Sequence, residues 1–136
     1  MDKIEEMLSS GGAVVLPTET VYGLFCKALD EQAVSHVYDL KGRPREKALN
    51  LNVSSLEEIY QFSKHQPQYL KKLYQAFLPG PLTIILQANE QVPIWVNSGM
   101  KTIGFRVPSH PKTLDLIRKF GPLIGPSANL SGKSSG

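Results

Sequence analysis

Ala13-Val14-Val15-Leu16-Pro17-Thr18-Glu19-Thr20-Val21-Tyr22-Gly23-Leu24 is the stretch whose reading decides the fold. Four apolar residues read as a buried strand, which Pro17 stops and which opens into a turn rich in hydroxyls. The same arrangement returns near the end of the chain. There Leu123 and Ile124 begin a strand that opens into Gly125-Pro126-Ser127-Ala128-Asn129-Leu130-Ser131-Gly132. Strand ends that run into hydroxyl- and glycine-rich turns are where α/β folds place ligands. Lys41-Gly42-Arg43-Pro44 adds two fixed positive charges. Hydroxyls, backbone amides and cations converging on one place suit a site for phosphate and carboxylate.

Between these segments, strands and helices alternate irregularly. Residues 2–9 read as a short helix with Ile4, Met7 and Leu8 on one face, ended by Gly11-Gly12. Asp30 caps a helix over about 31–40, with Ala33, Val34, Val37 and Tyr38 at helical spacing. Ala48 to Val53 alternates as a half-buried strand, and Ser55-Leu56-Glu57-Glu58 is a capping box that starts a helix to about Ser63. Pro67 falls in the first turn of the next helix, which turns Leu70, Leu73, Tyr74 and Phe77 inward. Pro79-Gly80-Pro81 breaks it. A strand follows over Leu82–Gln87, then a short extended piece over Pro93–Asn97 and a strand over Thr102–Val107. Pro111–Phe120 is a helix with Gly121 as its C-cap, and the polar end Lys133–Gly136 is expected to fray. This order favours a twisted, mixed α/β sheet flanked by helices. The many prolines beside strands, of ten in the chain, and the absence of G-x-G-x-x-G argue against a regular dinucleotide-binding pattern.

Bulk properties narrow the function. A chain of 136 residues with 41% apolar content makes one domain, read here over residues 1–136, with a real core. The net charge of +3 is mildly basic, which fits anionic ligands without indicating nucleic acid on its own. With a single cysteine, Cys26, there is no disulfide framework. Cys26 sits in an apolar stretch and reads as a small core residue. The charged N-terminus has no signal-peptide apolar region, and no apolar run is long enough to span a membrane. A reducing, cytoplasmic location is expected.

Five pieces taken together resemble the YrdC-like family of threonylcarbamoyl-AMP synthases. They are Pro17–Leu24, Lys41–Pro44, Pro79-Gly80-Pro81-Leu82-Thr83, Arg106-Val107-Pro108-Ser109-His110-Pro111 and Ser127–Gly132, in the family's order. The resemblance implies a twisted mixed sheet with a large concave positive cavity. It implies a reaction of L-threonine, bicarbonate (or CO2) and ATP that yields threonylcarbamoyl-adenylate and pyrophosphate. Other proteins, the threonylcarbamoyl transferases, then pass the group to an adenosine of tRNA. Mg²⁺ is expected on the ATP phosphates, held mainly by phosphate oxygens and water.

Carried over residue by residue, the resemblance assigns ATP contacts to Lys41, Arg43, Lys47, Thr102 and Ser127. It assigns threonine contacts to Thr20, Arg106 and Gly125, with Thr18, Tyr22 and Asn129 as support. The residue types suit these roles. Arginine offers a planar fork for oxyanions and lysine a mobile point charge. Arg106 lies between Phe105 and Val107, so its side chain is expected to leave their face for a polar space, and Thr102 shares that face by alternation. Each reading has a plainer counterpart. Thr20 could be a turn residue bonding its own backbone, and Lys41 and Arg43 a solvated helix end. Glu19 could orient Lys41 or Arg43, help hold Mg²⁺ or sit in solvent. His110 reads as a cap for the following helix, and His36 and His65 as surface or core fillers. Gly132-Lys133-Ser134 is similar to the end of a Walker A loop, but the earlier glycine that motif needs falls at Ser127.

The chain departs from the family at two places. Asn52 stands where some members carry a histidine that contacts threonine. Typical members also continue past Ser-Ala-Asn-Leu-Ser-Gly with more sheet and further binding residues, so a C-terminally short domain is expected. An uncovered sheet edge would invite pairing with another copy. Two other functions fit parts of the pattern. One is a non-catalytic module that binds double-stranded RNA by shape and phosphate contacts. The other is a carbamoyl-adenylate domain like that of hydrogenase-maturation carbamoyltransferases, whose zinc-finger and acylphosphatase parts are not found here.

Overall fold

The computed structural model describes residues 2–17, 22–41 and 50–125. The chain opens with α1 (Lys3–Ser9), β1 (Val14–Pro17), β2 (Tyr22–Lys27) and α2 (Glu31–Lys41). It continues through β3 (Leu51–Asn52), α3 (Leu56–Phe62), β4 (Ser63–Lys64), α4 (Leu70–Phe77) and β5 (Gly80–Ala88). The last elements are α5 (Ile94–Asn97), β6 (Thr102–Val107), α6 (Pro111–Phe120) and β7 (Leu123–Ile124). Among the described residues, seven strands form one sheet in the order β1-β2-β7-β3-β6-β5-β4. β3 and β6 run parallel and the other neighbours antiparallel, so the sheet is mixed, as the irregular alternation implied.

Two apolar clusters lie on opposite faces of this sheet. The larger takes Cys26, Leu51, Ile84, Leu86, Ile103, Phe105, Val107 and Ile124 from the strands. It packs them against Val34, Val37 and Tyr38 of α2, Ile59 and Phe62 of α3, and Val96 of α5. The smaller joins Leu8 of α1 to Leu116 and Ile117 of α6 over Val14, Leu16, Phe25 and Leu123. Phe25 and Leu123 alternate with Cys26 and Ile124, so β2 and β7 are buried on both sides. Each fully buried Leu, Ile or Phe side chain contributes roughly 1.5–3 kcal/mol of transfer free energy.

The helix ends follow their capping residues. Asp30 Oδ1 accepts from Ala33 N at 3.2 Å, and His110 Nδ1 accepts from Lys112 N at 3.2 Å. Asp2 and Glu5 form a reciprocal capping box at α1. Ser55 caps α3 by accepting from Glu58 N, but the Glu58 carboxylate accepts from Ser54 N, one residue upstream of the expected partner.

Several elements differ from the sequence reading. Tyr22–Lys27 is a strand, although Tyr22-Gly23-Leu24 reads as part of a turn. Its burial on both faces removes the alternation that reveals a strand. Ser63–Lys64 adds a two-residue edge strand, too short to leave a periodic signal. Of the expected extended piece Pro93–Asn97, Ile94–Asn97 is helical and only Pro93, its N-cap, is extended. Ile-Trp-Val favours strand locally, but tertiary bonds hold the helical turn. Trp95 Nε1 donates to Ala28 O at 2.9 Å, and Asn97 Nδ2 donates to the carbonyls of Met100 and Thr102. α4 begins at Leu70, three residues past Pro67. Phe77 is 57% exposed because Leu78, not Phe77, turns into the core as the chain leaves the helix. Met7 is half-exposed as well and folds over Gly12 instead of entering the core. Only Leu51–Asn52 of the expected 48–53 strand pairs as β3, with residues 48 and 49 outside the described set.

Candidate functional site: the open half of one sheet face

Register places a polar strip on the same sheet face as the smaller cluster. Leu123 lies in that cluster and pairs with Asn52, which in turn pairs with Arg106. Residues paired across strands share a face, so Leu123, Asn52 and Arg106 form a row across β7, β3 and β6. Along β6, Ile103, Phe105 and Val107 are buried, while Thr102 is exposed and Gly104 and Arg106 are half-buried. Thr102, Gly104 and Arg106 therefore point away from the main core. Ile85 and Gln87 of β5 pair with Gly104 and Thr102 and extend the strip, with Ile85 68% exposed. α1 and α6 cover the β1-β2-β7 half of this face, and the β3-β6-β5 half carries the strip.

The strip is anchored by side-chain amides. Asn52 is buried, and its Nδ2 donates to Leu123 O at 3.2 Å and to Asn50 O at 3.5 Å. The first bond ties β3 to β7, and the second braces the backbone just before β3. At the position where some family members carry a ligand-contacting histidine, this residue holds the sheet together. Asn97, also buried, fixes the turn that delivers Thr102 to the start of β6. Neither role leaves a signal in the sequence, since each depends on carbonyls brought close only by the fold.

Two glycines mark close approaches. A Cβ built on Gly104 would overlap the Asn50 side chain and come within 3.1 Å of Thr83 Cγ2. At Gly125, just past β7, a Cβ would run into the Leu24 carbonyl and lie 3.1 Å from Phe25 Cα. Packing against β2 thus demands glycine at 125, independently of any ligand.

Of the residues assigned from the sequence, the structure brings Thr102 and Arg106 onto one face and sets Gly125 at the end of β7. Tyr22 opens β2 and Lys41 closes α2. Thr18, Glu19, Thr20, Arg43, Lys47, Ser127 and Asn129 lie outside the described residues. Cys26 is fully buried, and burial pushes its thiol up to about 12, which suits a core residue and not a nucleophile. A concavity of about 430 Å³ lies beside β5, between Leu82–Gln87 and the His65, Tyr69, Leu70 and Leu73 side chains. It contains none of the assigned residues and its lining is largely apolar.

A mixed sheet covered on one face, with the other face half covered and half polar, defines an α/β domain that offers a ligand a platform of strand residues. The chain belongs to the Sua5/YciO/YrdC family, whose model, described as "Telomere recombination", matches residues 6–136. It is 41% identical over 129 residues to the threonylcarbamoyl-AMP synthase of Pyrococcus abyssi, covering 94% of this chain and 38% of that protein. It is 36% identical over 132 residues to the threonylcarbamoyl-AMP synthase of Hydrogenovibrio crunogenus, covering 94% of this chain and 71% of that one. The crystal structure of P. abyssi Sua5 complexed with L-threonine superposes with a TM-score of 0.89 at 40% identity, over 96% of this chain and 38% of that chain. The chain therefore spans about two fifths of the length of the first of these relatives.

Proposed function

We propose that this chain carries the synthase chemistry of its relatives. It would form threonylcarbamoyl-AMP and pyrophosphate from L-threonine, bicarbonate or CO2, and ATP, as a nucleotidyltransferase. The observation that carries the reading is the placement of Thr102, Gly104 and Arg106 in one line, beside Asn52, on a stretch of sheet that no helix among the described residues covers. A half-buried guanidinium flanked by buried Phe105 and Val107 is a fixed fork for the threonine carboxylate. Thr102, two residues beyond Gly104 on the same face, supplies a hydroxyl toward the nucleotide.

In the reaction, a carbamate oxygen of N-carboxythreonine attacks the α-phosphorus of ATP. The new O–P bond forms as the bond to the β-phosphate oxygen breaks, and that oxygen leaves with the electron pair as pyrophosphate. No protein nucleophile is required, so positioning and charge neutralisation carry the catalysis. Lys41, Arg43, Lys47 and Ser127 would serve the phosphates, and Thr20 and Gly125 the threonine. Mg²⁺ would enter as part of the nucleotide substrate. The product would be handed to transferases that modify tRNA, in the cytoplasm.

Pyrophosphate release tests this reading. The chain is given ATP·Mg²⁺ and bicarbonate, with and without L-threonine. Release that depends on threonine, and that falls when serine or valine replaces it, is the expected result. Release indifferent to the amino acid, or none at all, overturns it.

A further inference from the structure

Asn50 lies immediately before β3 and belongs to none of the roles above. The parallel register of β3 with β6, Leu51 to Phe105 and Asn52 to Arg106, continues one step back to set Asn50 beside Gly104. The contact is close, because a Cβ on Gly104 would come within 3.3 Å of Asn50 Cγ and closer still to its Oδ1. The Asn50 amide therefore occupies the space that the missing side chain of residue 104 leaves. The backbone carbonyl of Asn50 is held by Asn52 Nδ2, which fixes the base of the side chain. The amide itself makes no hydrogen bond to any described residue, and it is half-buried on the open strip.

We propose that the Asn50 amide grips the carbamate end of N-carboxythreonine, a positioning contact made over Gly104. The inference rests on the synthase reading above. Thr102 and Arg106 stand four residues apart on one strand face, about 13 Å along the strand, with Gly104 midway. With the nucleotide at Thr102 and the threonine carboxylate at Arg106, the bond that forms between carbamate and α-phosphate must lie over the midpoint. The one partner-free amide that reaches that midpoint is Asn50 among the described residues. Oδ1 is the amide atom nearest Gly104 here, and a half-turn of the terminal amide brings Nδ2 to the same place, where its N–H donors suit the carbamate oxygen that does not attack and leave the other aimed at phosphorus.

The consequence is a specific dependence on bicarbonate. A donor to a charged oxygen is lost in Asn50→Ala, which should raise the bicarbonate concentration for half-maximal pyrophosphate release by about tenfold to a hundredfold. Asn50→Asp, which keeps the shape but sets a carboxylate against the carbamate, should raise it at least as much. Calorimetric binding of L-threonine without bicarbonate, measured on the same variants, should match the wild type and shows that they are folded. Unchanged bicarbonate dependence with intact threonine binding overturns the Asn50 assignment and leaves the synthase reading standing. Loss of threonine binding itself also overturns it, since Asn50 would then serve the amino-acid end. A wild-type chain that releases no threonine-dependent pyrophosphate refutes the synthase reading, and the assignment goes with it.

Discussion

One face of this sheet is built in two ways. Over β1, β2 and β7 it is sealed: Phe25 and Leu123 meet Leu8, Leu116 and Ile117 from α1 and α6. Ion pairs close the rim, with Lys112 Nζ 2.7 Å from Asp2 Oδ2 and Lys119 joined to Glu5. Over β3, β6 and β5 the same face presents Asn52, Arg106, Gly104 and Thr102. The row Leu123, Asn52, Arg106 crosses from one half to the other within three adjacent strands. On the function proposed above, the difference separates stability from recognition along this face of the sheet. The main core on the opposite face underlies both halves, so the open half can stay polar without loosening the fold.

Substitutions that cross this boundary should behave oppositely. Leu123→Ala, in the sealed half, should destabilise by about 2–5 kcal/mol in chemical denaturation, through lost burial and a residual cavity. A loss below about 1 kcal/mol would break the comparison. Arg106→Ala, in the open half, should weaken L-threonine binding by about 2–4 kcal/mol in calorimetry, because it removes a charge-assisted fork. Thr102→Val sharpens the contrast: its exposed side chain predicts a stability change within about 0.5 kcal/mol, while nucleotide affinity falls.

The smallest effect concerns the rim. The Lys112 ammonium, through its hydrogen bond, holds the Asp2 carboxyl below its ordinary value of 3.8, and Lys119 does the same for Glu5 below 4.5. Folded-state values below the unfolded ones mean stability that is present above the ordinary carboxylate range and lost as pH falls through the lowered values. Lys112 is raised above 10.5 by Asp2, so its share is present below that pH and lost as pH rises through the raised value. Asp2→Asn combined with Glu5→Gln should therefore lower stability slightly at neutral pH, and wild type and variant should converge in strong acid. Asp2, Lys112 and Lys119 are solvent-exposed while Glu5 is half-buried, and salt should shrink the difference.

Much of this arrangement was legible in the residues. β6 and α6 have the bounds that their patterns predict, because β6 alternates cleanly and α6 carries Pro111 at its start and Gly121 at its end. The same alternation set Thr102 and Arg106 on one face. What the sequence hid were elements whose signal is tertiary. β2 is buried on both sides, so nothing in Tyr22–Lys27 alternates. α5 is held by the Trp95 and Asn97 bonds against its local preference. Asn50 and Asn52 look like ordinary polar positions of a half-buried strand. Only the pairing of β3 with β7 and β6 shows that Asn52 staples the sheet and Asn50 covers Gly104.

The most direct test of the central claim is a ¹H–¹⁵N amide map of the chain titrated with L-threonine. The account predicts that the largest shifts fall around Arg106 and the adjacent Asn52, with α1 and α6 unmoved. Shifts confined to the groove beside β5 and α4, or to the sealed half, would contradict it.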